Sequence, residues 1–214
     1  MTLTAASSIS NQIKRIVVIG ASIGGIDALI RLVSGFTRDQ SMAVLVVQHL
    51  RKTDEPPQLP IILNRHTTMD VVLASDGQLL SGGKIYVAEP GQHLCISGDR
   101  LSFMDGKPVN HVKPAADVLF TSTAETYGDR TIGVVLTGTG KDGTEGCRRI
   151  KSAGGVTIAQ DQETSTFFDM PASAINSGVI DYVLPLSSIA AKIKYLMDEP
   201  GFINRSQENR CLEQ

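Results

Sequence analysis

The stretch that most constrains the fold runs from residue 14 to residue 25, where an apolar run meets a glycine-rich turn. The unbroken β-branched run Ile16–Ile19 is typical of a buried strand. A turn with three glycines follows, and glycine permits backbone angles that other residues avoid. Apolar residues then recur at helical spacing. The pattern predicts a strand over about 15–20, a tight turn that carries Ser22, and a helix over about 24–34.

The turn itself is compatible with two kinds of site. Gly20 to Gly24 fits the G-x-S-x-G pattern, in which a serine lies on a sharp strand-to-helix turn with its hydroxyl exposed. Backbone N–H groups at the helix start would then stabilise an oxyanion beside the serine. A glycine-rich turn between a strand and a helix also begins many dinucleotide and phosphate sites. The spacing differs from G-x-G-x-x-G, but the turn alone leaves both alternatives open.

The composition is ordinary for a globular chain and excludes little else. The chain has 214 residues, of which 42% are hydrophobic and 20% are charged, which suits one α/β domain. A net charge of −2 gives no reason to expect nucleic acid or an anionic membrane as a partner. No stretch approaches the roughly 20 apolar residues of a membrane span, so we expect no membrane insertion. The N-terminus carries no pattern of a secretory signal.

Cysteine and histidine usage argues against a metal site. Cys95, Cys147 and Cys211 are widely spaced and form no C-x-x-C pair, which favours a reducing, cytoplasmic setting. A catalytic thiol is a minor alternative. Only four histidines occur, and none forms an i, i+4 pair on a helix pattern, so we expect neither a metal nor another cofactor. Of these, His93 and His111 are candidates to reach a cleft.

The rest of the chain alternates strands and helices. Further strands are predicted over 41–49, 130–137, 156–160 and 179–183, and further helices over 59–65, 115–127, 143–153, 171–177 and 186–197. This alternation predicts a doubly wound α/β fold with a mostly parallel sheet and helices on both faces.

Three regions fall outside this alternation. The segment 67–105 is predicted to be a small antiparallel insertion that contains a β-hairpin over 93–104. Residues 1–13 are predicted to be a flexible lead-in, and residues 199–214 a polar C-terminal tail.

Three chemically distinct side chains stand at the carboxyl ends of apolar strands. Ser22, His49 and Asp142 follow three separate strands, and the carboxyl ends of parallel strands meet at one edge of a sheet, where sites form. A serine, an imidazole and a carboxylate at one edge make a nucleophilic triad possible. The near-site residues that could supply oxyanion N–H groups are Ile23, Gly24, Thr139 and Gly140. Taken singly, His49 could be a satisfied structural histidine and Asp142 a turn or N-cap residue.

Several motifs together resemble the catalytic domain of CheB-type chemotaxis protein-glutamate methylesterases. The segments that carry the resemblance are Gly-Ala-Ser-Ile-Gly-Gly (20–25), Val-Val-Gln-His (46–49), Lys-Pro-Ala (113–115), Asp-Val-Leu-Phe (117–120), Gly-Val-Val-Leu-Thr-Gly-Thr-Gly-Lys-Asp-Gly (133–143), Ala-Gln-Asp (159–161) and Met-Pro (170–171). They occur in the family's order, and the similarity runs over about 14–197.

The resemblance implies a function that the residues alone do not give. It implies a serine hydrolase that cleaves γ-glutamyl methyl esters on the cytoplasmic helices of methyl-accepting chemotaxis receptors and releases methanol. Many members also deamidate receptor glutamines. The family's nucleophile, base and orienting acid fall on Ser22, His49 and Asp142, and an oxyanion N–H falls on Thr139.

The chain departs from the family pattern in four places. Ile23 replaces the usual threonine after the nucleophile, and Thr139 replaces a common methionine. The segment after His49 lacks the usual proline and the aromatic-containing stretch. About thirteen residues precede the first strand, which leaves no room for an N-terminal receiver domain, so we expect a stand-alone catalytic domain over 14–198.

Two alternatives to the methylesterase remain after the sequence analysis. One is a catalytically weakened docking module, which the departures at Ile23 and after His49 motivate. The other is a serine esterase with a different substrate. A nucleotide-binding role is disfavoured, because the glycine spacing is wrong and His49, not an acidic residue, ends the second strand.

Overall fold

A computed structural model describes residues 13–198, whose centre is a seven-stranded parallel sheet. The strands are β1 (Arg15–Ala21), β2 (Met42–Gln48), β3 (Asp70–Leu73), β4 (Lys84–Val87), β5 (His93–Ser97), β6 (Arg100–Met104), β7 (Thr131–Val135), β8 (Val156–Gln160) and β9 (Tyr182–Leu184). The large sheet has the order β3-β4-β2-β1-β7-β8-β9, and β5 pairs with β6 in a separate antiparallel hairpin.

Six helices between residues 13 and 198 cover the two faces of the sheet. They are α1 (Gly25–Ser34), α2 (Leu59–Asn64), α3 (Ala116–Tyr127), α4 (Thr144–Ser152), α5 (Asp169–Asn176) and α6 (Leu186–Asp198), and a 3-10 turn over Gly128–Arg130 follows α3. One core packs α1, α2 and α6 on the sheet, and the other packs α3, α4, α5 and the hairpin on the opposite face. Strands β1 and β2 are buried on both faces, which explains why their sequences are nearly continuous apolar runs. The predicted doubly wound fold is confirmed.

The prediction of an antiparallel insertion over 67–105 is wrong for its first half. Strand β4 pairs with β2, and β3 pairs with β4, both in parallel, so the two strands extend the main sheet. The connection between them runs along the hairpin, where the N–H of Leu80 donates to the Asp99 carbonyl and that of Gly77 to the Leu101 carbonyl. This crossover contains no helix, and its Ser-Asp-Gly sequence is typical of a hairpin turn. The sequence therefore favoured an antiparallel hairpin where the strands are parallel. The hairpin over 93–104 is confirmed.

Most of the predicted lead-in and the whole predicted tail lie outside the described residues. Ile13 is the exception, because its side chain is buried in the core under α3 and its carbonyl accepts a hydrogen bond from Arg130 Nη1. No helix between residues 13 and 198 is long and apolar enough to cross a lipid bilayer.

The sheet order decides where a site forms. From β1 the chain continues on one side, through β2 to β3 at the edge and then back to β4 between them. It then crosses to β7 on the other side of β1 and moves outward through β8 to β9. The order therefore reverses between β1 and β7, and in open α/β sheets ligands bind outside the carboxyl ends of strands at such a point.

Candidate active site

Ser22 lies at this reversal point, immediately after β1. Its backbone N–H donates to the Thr137 carbonyl at 3.0 Å, which ties the turn to the end of β7. Its carbonyl accepts hydrogen bonds from the Gly25 N–H at 2.8 Å and from Gln48 Nε2 at 2.7 Å. Gly24 caps α1 in the left-handed region with φ 76°, a conformation that glycine adopts without strain. The serine backbone is thus fixed by β2, by β7 and by the start of α1.

The loop after β7 packs directly on the serine. A Cβ atom at Gly138 would lie 2.6 Å from Ser22 Cβ and 2.4 Å from Met170 Sδ. The Gly138 N–H donates to the Phe167 carbonyl, and the Gly138 carbonyl accepts from the Met170 N–H, both at 2.9 Å. Glycine is required here because any side chain would displace the serine or the start of α5.

His49 and Asp142 form a close pair at the same edge. His49 Nε2 lies 2.7 Å from Asp142 Oδ2, and the two side chains are only 9% and 2% exposed. The His49 N–H donates to the Ala21 carbonyl at 3.0 Å, so the histidine is held beside the end of β1. In a buried setting such a pair is shielded from water, and its electrostatic interaction is strengthened.

The start of α3 holds the Asp142 carboxylate. Asp142 Oδ2 accepts the Ala116 N–H at 2.6 Å, and Asp142 Oδ1 accepts the Asp117 N–H at 3.1 Å. Burial raises the pKa of Asp142, but the hydrogen bonds from His49, Ala116 and Asp117 outweigh it and hold the pKa below its ordinary value. The carboxylate is therefore charged, so His49 Nε2 carries the proton in this hydrogen bond and Nδ1 is free to accept another.

A two-residue turn also reaches Asp142. Val109 and Val112 exchange backbone hydrogen bonds at 3.1 and 3.0 Å, and Asn110 and His111 between them have φ 52° and 67°. Two central residues with positive φ are typical of a type I′ turn, in which asparagine is favoured at the first position. The turn presents Asn110 Nδ2 at 2.7 Å from Asp117 Oδ2 and 3.2 Å from Asp142 Oδ1.

Asp117 is a second buried carboxylate beside Asp142. Its Oδ1 accepts the Gly146 N–H at 2.7 Å, which joins α3 to α4. Burial raises the pKa of Asp117, and the negative charge of Asp142 adds to the rise, although the Gly146 and Asn110 hydrogen bonds oppose it. The two neighbouring carboxyl groups therefore have pKa values displaced in opposite directions.

Neither Asn110 nor Asp117 was predicted from the sequence to belong to the site. Asp117 stands in one of the quoted family motifs, and asparagine between two valines is a turn signal. Neither signal says that the Asn110 side chain and the Asp117 backbone N–H both meet Asp142, which lies 32 and 25 residues further along the chain, respectively.

The near-site residues carry unpaired backbone donors, two directly after Ser22 and two directly after Gly138, which packs on Ser22. Ile23, Thr139 and Gly140 are exposed, and Ile23 is 51% exposed. Within residues 13–198, the backbone N–H groups of Ile23, Gly24, Thr139 and Gly140 donate to no other residue. Among the hydrogen bonds of residues 13–198, none joins Ser22 Oγ to His49. The structure therefore joins His49 to Asp142 and places Ser22 beside them at the same sheet edge.

The remaining histidines differ in their placement. His93 is fully buried, with Nδ1 accepting the Ala115 N–H at 3.2 Å and Nε2 donating to the Lys107 carbonyl at 3.1 Å. It therefore supports the residue that precedes α3. His111 lines a cleft next to His49, and His66 is exposed.

The described cysteines are poor candidates for a catalytic thiol. Cys95 and Cys147 are free, and burial raises the pKa of both thiols, which keeps them in the unreactive protonated form. Cys211 lies outside the described residues. No group of three or more potential ligands between residues 13 and 198 is arranged to hold a metal ion.

Comparison with known proteins identifies the class to which this fold and site belong. The family model described as CheB methylesterase matches residues 17–193. The crystal structure of the Thermotoga maritima CheB methylesterase catalytic domain superposes with a TM-score of 0.78 at 36% identity, and covers 85% of this chain and 98% of that chain. The chain therefore belongs to the CheB methylesterase family.

Curated relatives carry the corresponding names. The protein-glutamate methylesterase/protein-glutamine glutaminase of group 3 operon of Rhizobium meliloti is 41% identical over 179 residues, which are 83% of this chain and 50% of the relative. The Pyrococcus horikoshii protein-glutamate methylesterase/protein-glutamine glutaminase is 39% identical over 181 residues, 81% of this chain and 48% of the relative. The chain thus spans about half the length of these relatives.

A shorter relative matches over most of its length. The putative protein-glutamate methylesterase/protein-glutamine glutaminase of Leptospira interrogans is 37% identical over 175 residues, which are 81% of this chain and 90% of the relative.

Proposed function

We propose that residues 14–198 form the catalytic domain of a serine hydrolase that acts in the cytoplasm on chemoreceptors. Its substrates are γ-glutamyl methyl esters on the cytoplasmic helices of methyl-accepting chemotaxis receptors, and its product is methanol. The observation that carries the proposal is the 2.7 Å contact between His49 and the charged Asp142 at the sheet edge that holds Ser22. Relatives named protein-glutamate methylesterase/protein-glutamine glutaminase support the substrate class.

In the proposed mechanism Ser22 Oγ attacks the ester carbonyl carbon while His49 Nδ1 takes its proton. Asp142 holds the imidazole through Nε2 and stabilises the imidazolium that forms. Collapse of the tetrahedral intermediate breaks the bond to the methoxy oxygen, which leaves as methanol with the proton from His49. Water, deprotonated by His49, then attacks the acyl carbon of the acyl-enzyme. The bond to Ser22 Oγ breaks, His49 returns its proton to that oxygen, and the product leaves as glutamic acid, which ionises to the carboxylate.

The unpaired backbone donors around Ser22 suit the oxyanion of that intermediate. Ile23 and Gly24 follow the serine, and Thr139 and Gly140 follow Gly138, which packs on it. The N–H groups of these four residues donate to no other described residue. Fixed donors aimed at a developing negative charge contribute roughly 3–4 kcal/mol each to transition-state stabilisation. The same route, with ammonia as the leaving group, accounts for the glutaminase activity in the relatives' names, which we propose as a second reaction.

The decisive experiment compares wild type with Ser22→Ala on methylated receptor fragments. Methanol release should fall by roughly 10⁴-fold or more, because the nucleophile is lost. Ser34→Ala is a matched control, since that exposed hydroxyl donates only to the Arg31 carbonyl on α1. Equal methanol release by wild type and Ser22→Ala would disprove the assignment.

A fluorophosphonate probe separates the alternatives. Labelling of wild type but not of Ser22→Ala, together with receptor demethylation, supports the methylesterase. Labelling with turnover of small esters only would favour a serine esterase with a different substrate. Receptor binding without labelling would favour a docking module.

A further inference from the structure

A positively charged cleft adjoins the proposed base. It has a volume of about 520 Å³, and His49 and Leu50 form one side of it. Arg51, Lys52 and Lys113 also line it, and no acidic residue does. Three cations at one cleft contrast with the net charge of −2 of the whole chain. A cleft lined by charges of one sign concentrates ligands of the other sign.

The packing around Gly91 fixes one wall of the cleft. A Cβ atom at Gly91 would lie 2.9 Å from Lys52 Cδ, so the aliphatic stem of Lys52 lies directly over this glycine. The Gly91 N–H donates to the Lys113 carbonyl at 3.1 Å. Lys113 Nζ in turn donates to the Gly106 carbonyl at 3.0 Å. The backbone and stems that carry two of the cations are therefore held together.

Arg51 and Lys52 are in no ion pair within the described part of the chain. Neither side chain makes an ion pair or hydrogen bond within the described part of the chain, and both are exposed. Both residues also line an adjoining depression that contains Asp54, Glu55 and Glu89, but none of these carboxylates lies within ion-pair distance of them. Lys113 is partly compensated, because the exposed Asp105 lies 3.6 Å from its Nζ.

We propose that this cleft is a carboxylate subsite, so that the enzyme selects ester-bearing residues with an acidic residue close by. The inference rests on the proposed function, since a ligand in this cleft lies next to His49 and therefore next to the scissile ester. The ester itself is neutral and gives the cations nothing to bind. On a helical substrate, a residue three or four positions away lies on the same face about 5–6 Å from the ester-bearing residue. A glutamate or aspartate at that spacing supplies the missing negative charge.

The test measures binding separately from turnover. Two fluorescent helical peptides each contain one γ-methyl-glutamate and differ only in having Glu or Gln four residues away. Their dissociation constants for the Ser22→Ala protein are measured by fluorescence anisotropy at low and at high salt. The Glu peptide should bind more tightly by about two- to fivefold for each cation engaged, and high salt should reduce this preference.

Matched variants locate the effect. Arg51→Gln and Lys52→Gln in the Ser22→Ala background should each reduce the ratio of the two dissociation constants by about two- to fivefold. Lys14→Gln removes the same charge from an exposed lysine that precedes β1, at the opposite edge of the sheet, and should leave the ratio unchanged. Equal affinity for both peptides, or an equal loss of preference in Lys14→Gln, would overturn the proposal.

Turnover of the same peptides separates the two proposals. If the protein with Ser22 intact releases methanol from both peptides with equal kcat/KM, and binding shows no preference, the subsite is wrong and the methylesterase stands. If neither peptide is hydrolysed but the binding preference persists and depends on Arg51 and Lys52, the subsite stands and the methylesterase is wrong.

Discussion

The carboxyl edge of the sheet and the Val109–Val112 turn both contribute to one site, but they are built differently. The edge is made of strands buried on both faces, and Ser22 and His49 follow β1 and β2 directly. The turn belongs to no sheet, yet it brings Asn110 to Asp142 and His111 to the cleft beside His49. The edge therefore supplies the proposed reacting groups, and the turn holds and surrounds them.

The difference predicts two classes of variant. Changes at the edge should remove the chemistry while the protein remains folded, because those side chains contribute little to either core. Changes in the turn should misplace the reacting groups and lower the rate less, since the groups themselves are retained.

The largest effect is expected for Asp142→Asn. An amide cannot stabilise the imidazolium, and its geometry favours the wrong histidine tautomer, so kcat should fall by roughly 10⁴-fold. Initial rates of methanol release measure it. Asp129→Asn is the control, because that exposed side chain lies near the amino end of β7, away from the site. A fall of less than tenfold would show that the His49–Asp142 contact is only structural.

A smaller loss is expected for Asn110→Gly. Glycine tolerates the positive φ of 52°, so the variant removes the amide that bridges Asp117 and Asp142 and leaves the turn unstrained. We expect kcat to fall roughly tenfold or more through misplacement of Asp142, with about 1–3 kcal/mol less stability.

Asn64→Gly provides the comparison for this variant. Its amide oxygen accepts the Val71 N–H at 3.2 Å, far along the chain from Asp142. Chemical denaturation and kcat are measured on both variants. If the two lose stability alike and neither loses kcat, the turn has no part in positioning Asp142.

The two buried carboxyl groups should give stability opposite dependences on pH. The folded-state pKa of Asp142 is lowered, so its contribution is present above the unfolded value of about 3.9 and is lost as pH falls through the folded pKa. The folded-state pKa of Asp117 is raised, so wild type loses stability as pH rises from about 3.9 through that pKa.

Denaturation of Asp142→Asn and Asp117→Asn at several pH values tests these signs. Below about pH 4, the loss in free energy of unfolding caused by Asp142→Asn should increase as the pH rises. Above about pH 4, the loss caused by Asp117→Asn should decrease as the pH rises. Parallel pH curves for the two variants would contradict the opposite displacements.

The smallest effect is expected for Ile23→Thr. Ile23 is half exposed, and its carbonyl accepts a hydrogen bond from Thr137 Oγ1 at 3.1 Å that the substitution leaves intact. The free energy of unfolding should change by less than about 0.5 kcal/mol, and kcat by less than about tenfold, because the backbone N–H is retained. A hundredfold rise would show that a threonine hydroxyl is a missing oxyanion donor.

Elements that depend on neighbouring residues were predicted correctly, and strand pairing that depends on residues distant in sequence was not. The β1–turn–α1 unit was predicted to within one residue, because an apolar run, glycines and helical spacing are local signals. The partners of β3 and β4 were predicted wrongly, since both strands are only four residues long and their parallel pairing depends on the crossover along the hairpin.

The sequence by itself determined the parallel sheet, the positions of Ser22 and His49 after β1 and β2 and of Asp142 in the loop after β7, and the class of protein. Only the tertiary structure decided how those residues are held. It brought the start of α3 and Asn110 onto the Asp142 carboxylate, and it gathered Arg51, Lys52 and Lys113 around one cleft. The physical reason is that periodicity and turn chemistry act between neighbours in the chain. Hydrogen bonds and clefts depend on which distant segments the packed cores bring together.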